Sequence, residues 1–219
     1  MENVIAIDGP GGAGKSTIAK LLADKLNYLH LDTGAMYRAV TLAALKNDID
    51  FKAEEKLVKL AKNIDITFNE KGEIFLNGEN VSQEIRTAEV NNHVSETAAV
   101  KGVREVLVEK QKQLAQDNKV VMDGRDIATV VLPEAEHKFF LTASLAERAK
   151  RRYQEVKSKS ENADYEKIKQ SIARRDKLDS EREHSPLKQA EDAVFLDTTN
   201  LSIDQVLTKM IEIIEGESQ

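Results

Sequence analysis

Gly9-Pro10-Gly11-Gly12-Ala13-Gly14-Lys15-Ser16-Thr17 matches GxxxxGK[ST] in full and lies between the apolar run Val4-Ile5-Ala6-Ile7 and a segment of helical pattern. Strand, glycine loop, Lys-Ser and helix in that order are the context a phosphate-binding loop requires. Glycines without a Cβ let successive backbone N–H groups turn inward. The following helix presents its positive N-terminal end, and Lys15 adds a mobile point charge for the outer phosphates. That chemistry is triphosphate binding, with the Ser16 hydroxyl suited to Mg²⁺.

Phosphoryl transfer needs neutralised charge on the moving group and two oxygens held in line more than it needs a strong base. Lys15 is the first cation for that task. Asp123 closes the run Val120-Val121-Met122, where a carboxylate can reach Mg²⁺ through water. Asp123-Gly124-Arg125-Asp126 adds an arginine and a second carboxylate at the same rim. Both can face substrate; Asp126 has a competing use as N-cap of the apolar stretch that Ile127 begins.

Asp32-Thr33-Gly34-Ala35-Met36-Tyr37-Arg38 follows a second apolar run. Asp32 suits a helix cap. Tyr37 and Arg38, beside an anion-attracting helix N-terminus, suit a nucleoside monophosphate, the ring against base or sugar and the guanidinium on the phosphate. Arg148, Arg151 and Arg152 share one helical face at i, i+3 and i+4, and Arg175, Asp179 and Arg182 share another at i, i+4 and i+7. Arginines that clamp the transferred group can raise phosphoryl-transfer rates by about 10³ to 10⁵. Salt bridges to neighbouring Glu and Asp are their competing use.

These residues have to be carried by strands and helices. Val4 to Ile7, Tyr28 to Leu31, Val120 to Met122, Lys138 to Leu141 and Ala193 to Leu196 read as five buried strands separated mostly by helical patterns. That alternation predicts an α/β fold with a parallel sheet covered on both faces and ligands at the carboxyl ends of the strands. Met36, Ala39, Val40, Ala43 and Ala44 form a helical stripe, as do Leu57, Leu60, Ala61 and Ile64. Ser202 and Gln205 form a capping box ahead of Ile203, Val206, Leu207, Met210, Ile211 and Ile214.

Between Ile64 and Val81 the period changes to two, with a Lys71-Gly72 break and an Asn77-Gly78 turn, which predicts a small antiparallel sheet outside the parallel core. Helices follow from about Ala88 to Gln116. Residues 154–185 are strongly charged, with Val156, Ile168, Ile172 and Leu178 almost the only candidates for burial. They read as a helical lid or as a solvated charged hairpin. The expected organisation is a core of 1–63, 117–153 and 186–219, an inserted monophosphate-binding subdomain at 64–116 and a lid at 154–185.

A chain of 219 residues, 41% hydrophobic and 32% charged, is long enough for one α/β core with insertions. No membrane span or signal peptide is indicated, and a cytoplasmic enzyme fits. With no cysteine, disulfides and thiolate chemistry are excluded. His30, His93, His137 and His184 lack metal-ligand spacing. The net charge of −6 argues against nonspecific nucleic-acid binding.

With these residues in view, the chain resembles the bacterial cytidylate kinases, nucleoside monophosphate kinases of the P-loop superfamily. The resemblance spans nearly the whole chain and rests on GPGGAGKST at 9–17, DTGAMYR at 32–38, VREVL at 103–107, DGRDIATVVLP at 123–133, ERAKRR at 147–152 and SPL at 185–187. It implies transfer of phosphate from ATP to CMP or dCMP with Mg²⁺ as cofactor, by a chain expected to act as a monomer. Thr33, Ser95, Arg104, Asp126 and Arg182 would surround the cytosine, Arg38, Arg125 and Arg175 the CMP phosphate, and Asp179 the ribose, with Tyr37 lining the pocket. The catalytic cations would be Lys15, Arg125 and Arg175, the ATP site residues 9–17 with Arg151, and the metal side chains Ser16 and Asp123. Thr33 stands where many relatives carry serine, and Leu178 and Ser180 replace charged lid positions of some relatives.

Two other readings are open from the residues. A P-loop kinase of another small acceptor keeps every argument about ATP. A nucleotide-switched binding protein keeps the loop alone, but Asn118-Lys119-Val120-Val121 lacks the aspartate of NKxD that would pair with guanine.

Overall fold

The apolar run ahead of the glycine loop becomes β1 (Val4–Asp8), which lies at the centre of a five-stranded parallel sheet. The computed structural model describes residues 1, 3–69, 71–116, 118–158 and 163–216; position 70 of the expected insert, 117 at the start of the expected second core segment and 159–162 of the expected lid lie outside the described residues. The strand order is β2 (Leu29–Asp32), β6 (Val120–Gly124), β1, β7 (His137–Thr142) and β8 (Val194–Asp197). All five sequence-predicted strands are present, and the fold is the expected P-loop α/β architecture. In register, Ile7 pairs with Asp123 and Asp8 with Gly124, while Asp32 pairs with Asp123 across β6. The carboxyl ends of β1, β6 and β2 therefore stand side by side at the crevice where such sheets bind ligands.

Strand side chains alternate between two apolar faces, as a sheet covered on both sides demands. Ile5, Ile7, Val121, Phe139 and Leu141 meet Ile18 and Leu22 of α1 (Lys15–Leu26) and Val206 and Met210 of α8 (Ile203–Ile214). Val4, Ala6, Val120 and Met122 face Ile127, Val131 and Leu132 on the other side. The Ser202–Gln205 capping box expected for α8 is formed.

Between β2 and β6 the chain builds α2 (Thr33–Lys46), α3 (Glu54–Asn63), the antiparallel strands β3 (Ile66–Phe68), β4 (Ile74–Leu76) and β5 (Glu79–Asn80), then α4 (Ala88–Ala99) and α5 (Lys101–Gln116). Asn77 and Gly78 have φ of 50° and 84°, the two positive values that a two-residue hairpin turn needs. Met36, Val40, Leu57, Ile74, Ile85, Val90, Val103 and Leu107 form a second core that ties this unit to α2. Gly72 lies against His30, so the small sheet sits over the β2 edge.

α6 (Leu145–Lys157) and α7 (Tyr165–Glu181) pack together, with the Tyr153 and Tyr165 rings edge to face at 6.1 Å. α6 runs unbroken past residue 153, so the expected end of the core falls inside a helix. Val156, Ile168 and Ile172 are half-buried, whereas Leu178 is 49% exposed and not the burial candidate its type suggested. Its neighbour Asp179 is turned inward and buried, and successive helical side chains diverge by about 100°. Among the described residues no helix is long and apolar enough to cross a membrane.

Candidate active site

The glycine loop leaves β1 at Gly9, where φ is +146° and a Cβ would stand 1.9 Å from the Leu141 carbonyl oxygen on β7. Only glycine lets the loop lie this close to that strand. Pro10 and Ala13 are buried beneath the turn, and Thr17 is exposed on the first turn of α1. Lys15 is buried and donates from Nζ to the Pro10 carbonyl at 2.8 Å. Burial, with Arg125 and Arg175 adding repulsion against nearby Asp123 and Asp8, drives its ammonium down to about 7.

The Ser16 hydroxyl donates to Asp123 Oδ2 at 2.7 Å, and His30 Nε2 lies 2.8 Å from Asp123 Oδ1. Burial opposes charge on His30, but Asp123 outweighs it and raises the imidazole above its ordinary value. Ser16 and Asp123 supply hard oxygens, the donor type that Mg²⁺ takes, and one or two such side chains suffice where nucleotide phosphates complete the shell. Among the described residues no group of three or more His, Cys, Asp or Glu is arranged to hold a metal alone.

Beside the loop several guanidinium groups crowd together among fewer hydrogen-bonded carboxylates. The Arg125 guanidinium reaches within 3.5 Å of the place where a Gly11 Cβ would stand, and its Nε donates to Asp179 Oδ2 at 2.8 Å. Arg175 Nε lies 3.9 Å from the same oxygen. Arg38 donates from Nε to Asn91 at 3.4 Å and leans over Gly34. Burial, then Arg125 and Arg38, push Arg175 down to about 9; burial also lowers Arg38, against the pull of Asp32. Asp179 is held below the carboxylate range because Arg125 and Arg175 overcome its burial. An anion placed among these cations would relieve their mutual repulsion.

A second cluster of charge surrounds Asp126, the residue after Arg125. Arg104 is 3% exposed, lies 5.3 Å over the Tyr37 ring and donates from Nη2 to Asp126 Oδ2. Arg182 Nη2 stands 3.5 Å from Asp126 Oδ1. Burial pushes the Tyr37 phenol up to about 12. The Thr33 hydroxyl donates to the Asp123 carbonyl at 2.8 Å. Ser95 joins Asp179 and Arg182 in lining a cleft of about 690 Å³. Arg104 Nε and Arg182 Nη2 are buried without a hydrogen-bond partner, the condition of groups that await a ligand or water.

Asp32 does cap α2, accepting from Ala35 N at 3.0 Å, and also pairs with Arg86 at 3.4 Å. Asp126 makes no cap bond. The amides that open the helical turn 127–131 go instead to Asp8. The arginines of α6 divide: Arg148 donates to the Gly11 carbonyl at 3.0 Å and to Asp176 at 2.5 Å, and Arg151 donates to Thr198 O at 2.7 Å beside Gly14. Arg152 turns outward to Glu155 at 2.7 Å.

Asp8, Asp176 and Thr198 stand against these site residues without having been singled out in the sequence, and His30 is noted there only as lacking metal-ligand spacing. Asp8 had a readable signal, a polar residue at the carboxyl end of an apolar strand, whereas His30 lies inside β2, where only its pairing with Asp123 gives it a place. Asp176 and Thr198 had none, because each gains its role only through a distant partner.

A family model described as cytidylate kinase matches residues 5–216. A cytidylate kinase of Bacillus velezensis is 56% identical over 98% of this chain and 97% of its own. One of Bacillus subtilis is 54% identical with the same coverage. Among solved structures, an uncharacterized protein from Eubacterium ventriosum aligns with a TM-score of 0.54 at 12% identity, over 97% of this chain and 98% of that one, and shares the fold.

Proposed function

This chain belongs to the cytidylate kinase family, enzymes that move phosphate from ATP to CMP, and on that premise we propose how its cleft divides the work. The phosphate of CMP attacks the γ-phosphorus of ATP, the bond to the β,γ-bridging oxygen breaks, and CDP and ADP leave. Residues 9–17 cradle the ATP phosphates and Arg151 flanks them. Lys15, Arg125 and Arg175 neutralise the transferred group. The observation that carries this division is the crowding of Lys15, Arg125, Arg175 and Arg38 in one poorly solvated cleft, where burial and mutual repulsion depress three of the four. A phosphate binder gains affinity from such unmet charge.

Ser16 and Asp123 are the side chains that would hold Mg²⁺, and when bound the ion neutralises charge on the β- and γ-phosphates. His30 keeps the Asp123 carboxylate from swinging away. On the acceptor side Arg38 joins Arg125 and Arg175 on the CMP phosphate, and Asp179 takes the ribose, with dCMP admitted as a second acceptor. Thr33, Ser95, Arg104, Asp126 and Arg182 surround the base, with Tyr37 as wall. Asp126, held between two guanidinium groups, is acceptor-only. It suits the exocyclic amino group of cytosine and opposes the carbonyl that uracil carries there, and mismatched polar groups of this kind can discriminate by about 10⁴ to 10⁵.

The insert 64–116 then serves as monophosphate-binding subdomain and 154–185 as lid, with one chain carrying both halves of the cleft, so a monomer suffices. The test is a coupled assay with Mg-ATP and CMP, dCMP, UMP, AMP or shikimate as acceptor. CMP should turn over fastest, and a clear preference for UMP, AMP or shikimate overturns the reading.

A further inference from the structure

Asp8, the last residue of β1, is 1% exposed, and both of its carboxylate oxygens are committed to one place. Oδ1 accepts from Ile127 N at 2.9 Å and Oδ2 from Ala128 N at 2.8 Å. The turn 127–131 therefore takes its N-terminal cap from a neighbouring strand, not from Asp126, which immediately precedes it. Helix starts leave several amides without partners, and an aspartate at the N-cap normally accepts from them. Asp126 sits at that position with φ −148° and makes no cap bond. Its carboxylate is turned instead to Arg104 and Arg182. The pairing of Asp8 with Gly124 across β1 and β6 is what brings the substitute cap within reach.

We propose that Asp8 is a positioning residue for the monophosphate side of the reaction, holding the 125–128 backbone so that Arg125 and Asp126 point into the cleft. This is unexpected from the chain, because Asp8 adjoins the loop that grips ATP. It makes no hydrogen bond to Lys15, whose ammonium donates to the Pro10 carbonyl. The inference rests on the reading of Arg125 and Asp126 as CMP contacts.

The test compares steady-state kinetics of the full chain with Asp8→Asn, Asp126→Asn and both together. Asparagine at 8 keeps one acceptor and turns an NH₂ group toward a peptide N–H. Asp8→Asn should raise KM for CMP about tenfold or more, the size expected for a hydrogen bond to a charged group. KM for ATP should stay within about twofold. The double variant should lose clearly less than the product of the two single effects, because residues acting through one another are non-additive, with any remaining cost of Asp8→Asn coming through Arg125. A rise in KM for ATP in place of CMP, or additive losses, overturns the inference. Should Asp126→Asn itself leave KM for CMP unchanged, the pocket assignment fails first. A measurement on the unaltered protein guards against a variant that does not fold. The Ile127 and Ala128 amides should exchange slowly with solvent before any nucleotide is added, and fast exchange overturns the inference as well.

Discussion

Arg125 and Arg175 lean on a single oxygen, Oδ2 of Asp179, at 2.8 and 3.9 Å. Asp123 and Asp176 add to the pull on Arg125 and Asp32 to that on Arg175, yet Arg175 is still driven down to about 9 by burial and the neighbouring arginines, so a bound anion is expected to stabilise the group. CMP at about a hundred times its Kd should stabilise the protein by about 2.7 kcal/mol, and inorganic phosphate should reproduce part of that gain. In Arg175→Gln the same phosphate concentration should raise the melting temperature less than in wild type. An equal rise in both proteins places the anion elsewhere.

Lys15→Met removes the buried ammonium nearest the loop phosphates. Loss of one preorganised charge-stabilising donor typically lowers kcat by about 10² to 10³. KM for CMP should change little. A variant that kept wild-type kcat and lost only CMP affinity would reverse the roles given to Lys15 and the arginines.

Arg104→Ala takes one of two cations from Asp126 and the stacking partner from Tyr37. KM for CMP should rise about tenfold or more, since the lost bond involves charge on both sides. Steady-state titrations of each nucleotide separate the two sites. Unchanged CMP dependence with weakened ATP binding would show the division to be wrong.

Gly9→Ala should be costly in stability before any question of activity arises. Its Cβ would fall 1.9 Å from a backbone oxygen, at a φ that L-residues rarely adopt. Overpacking typically costs about 1 to 3 kcal/mol, and a backbone atom that cannot swing aside puts this site at the upper end. Urea unfolding of wild type and variant checks this, and a loss under about 1 kcal/mol would mean that β7 gives way.

The Asp8 carboxyl is raised from 3.8 to about 6, chiefly by burial and further by Asp126, against the two amides and Lys15. A raised folded value means that folding takes up a proton. The stability this group contributes is full below about pH 4 and is lost as pH rises through about 6. Asparagine at 8 does not titrate in that window, so the stability gap between wild type and Asp8→Asn should shrink in favour of the variant across it. Urea midpoints at a series of pH values read the gap directly. A constant gap would contradict the buried, proton-binding state of Asp8.

Much of the architecture was legible because it is written locally. Strand runs, the period-two insert, the capping box at Ser202 and the glycine loop each occupy a short window whose periodicity or turn chemistry has one good structural answer. Side-chain partners across the fold were not legible in that way. His30 meets Asp123 across 93 residues and Asp8 meets Ile127 across 119. Periodicity tells which face a residue occupies, never which distant residue stands opposite. The same gap explains Asp126, where local preference offered a helix cap and a strand from the other end of the domain had taken that role. It explains Arg152 too, which shares helical spacing with Arg148 and Arg151 yet turns to Glu155.

Asp8 and Gly124 are rung partners on adjacent parallel strands, and Gly9 and Arg125 are the next residues along each. The donor grip and the acceptor grip thus start one interstrand step apart, a gauge of about 4.8 Å that the peptide ladder sets. The sheet works as a fixed ruler, so tuning which acceptor enters is left to residues mounted outside it.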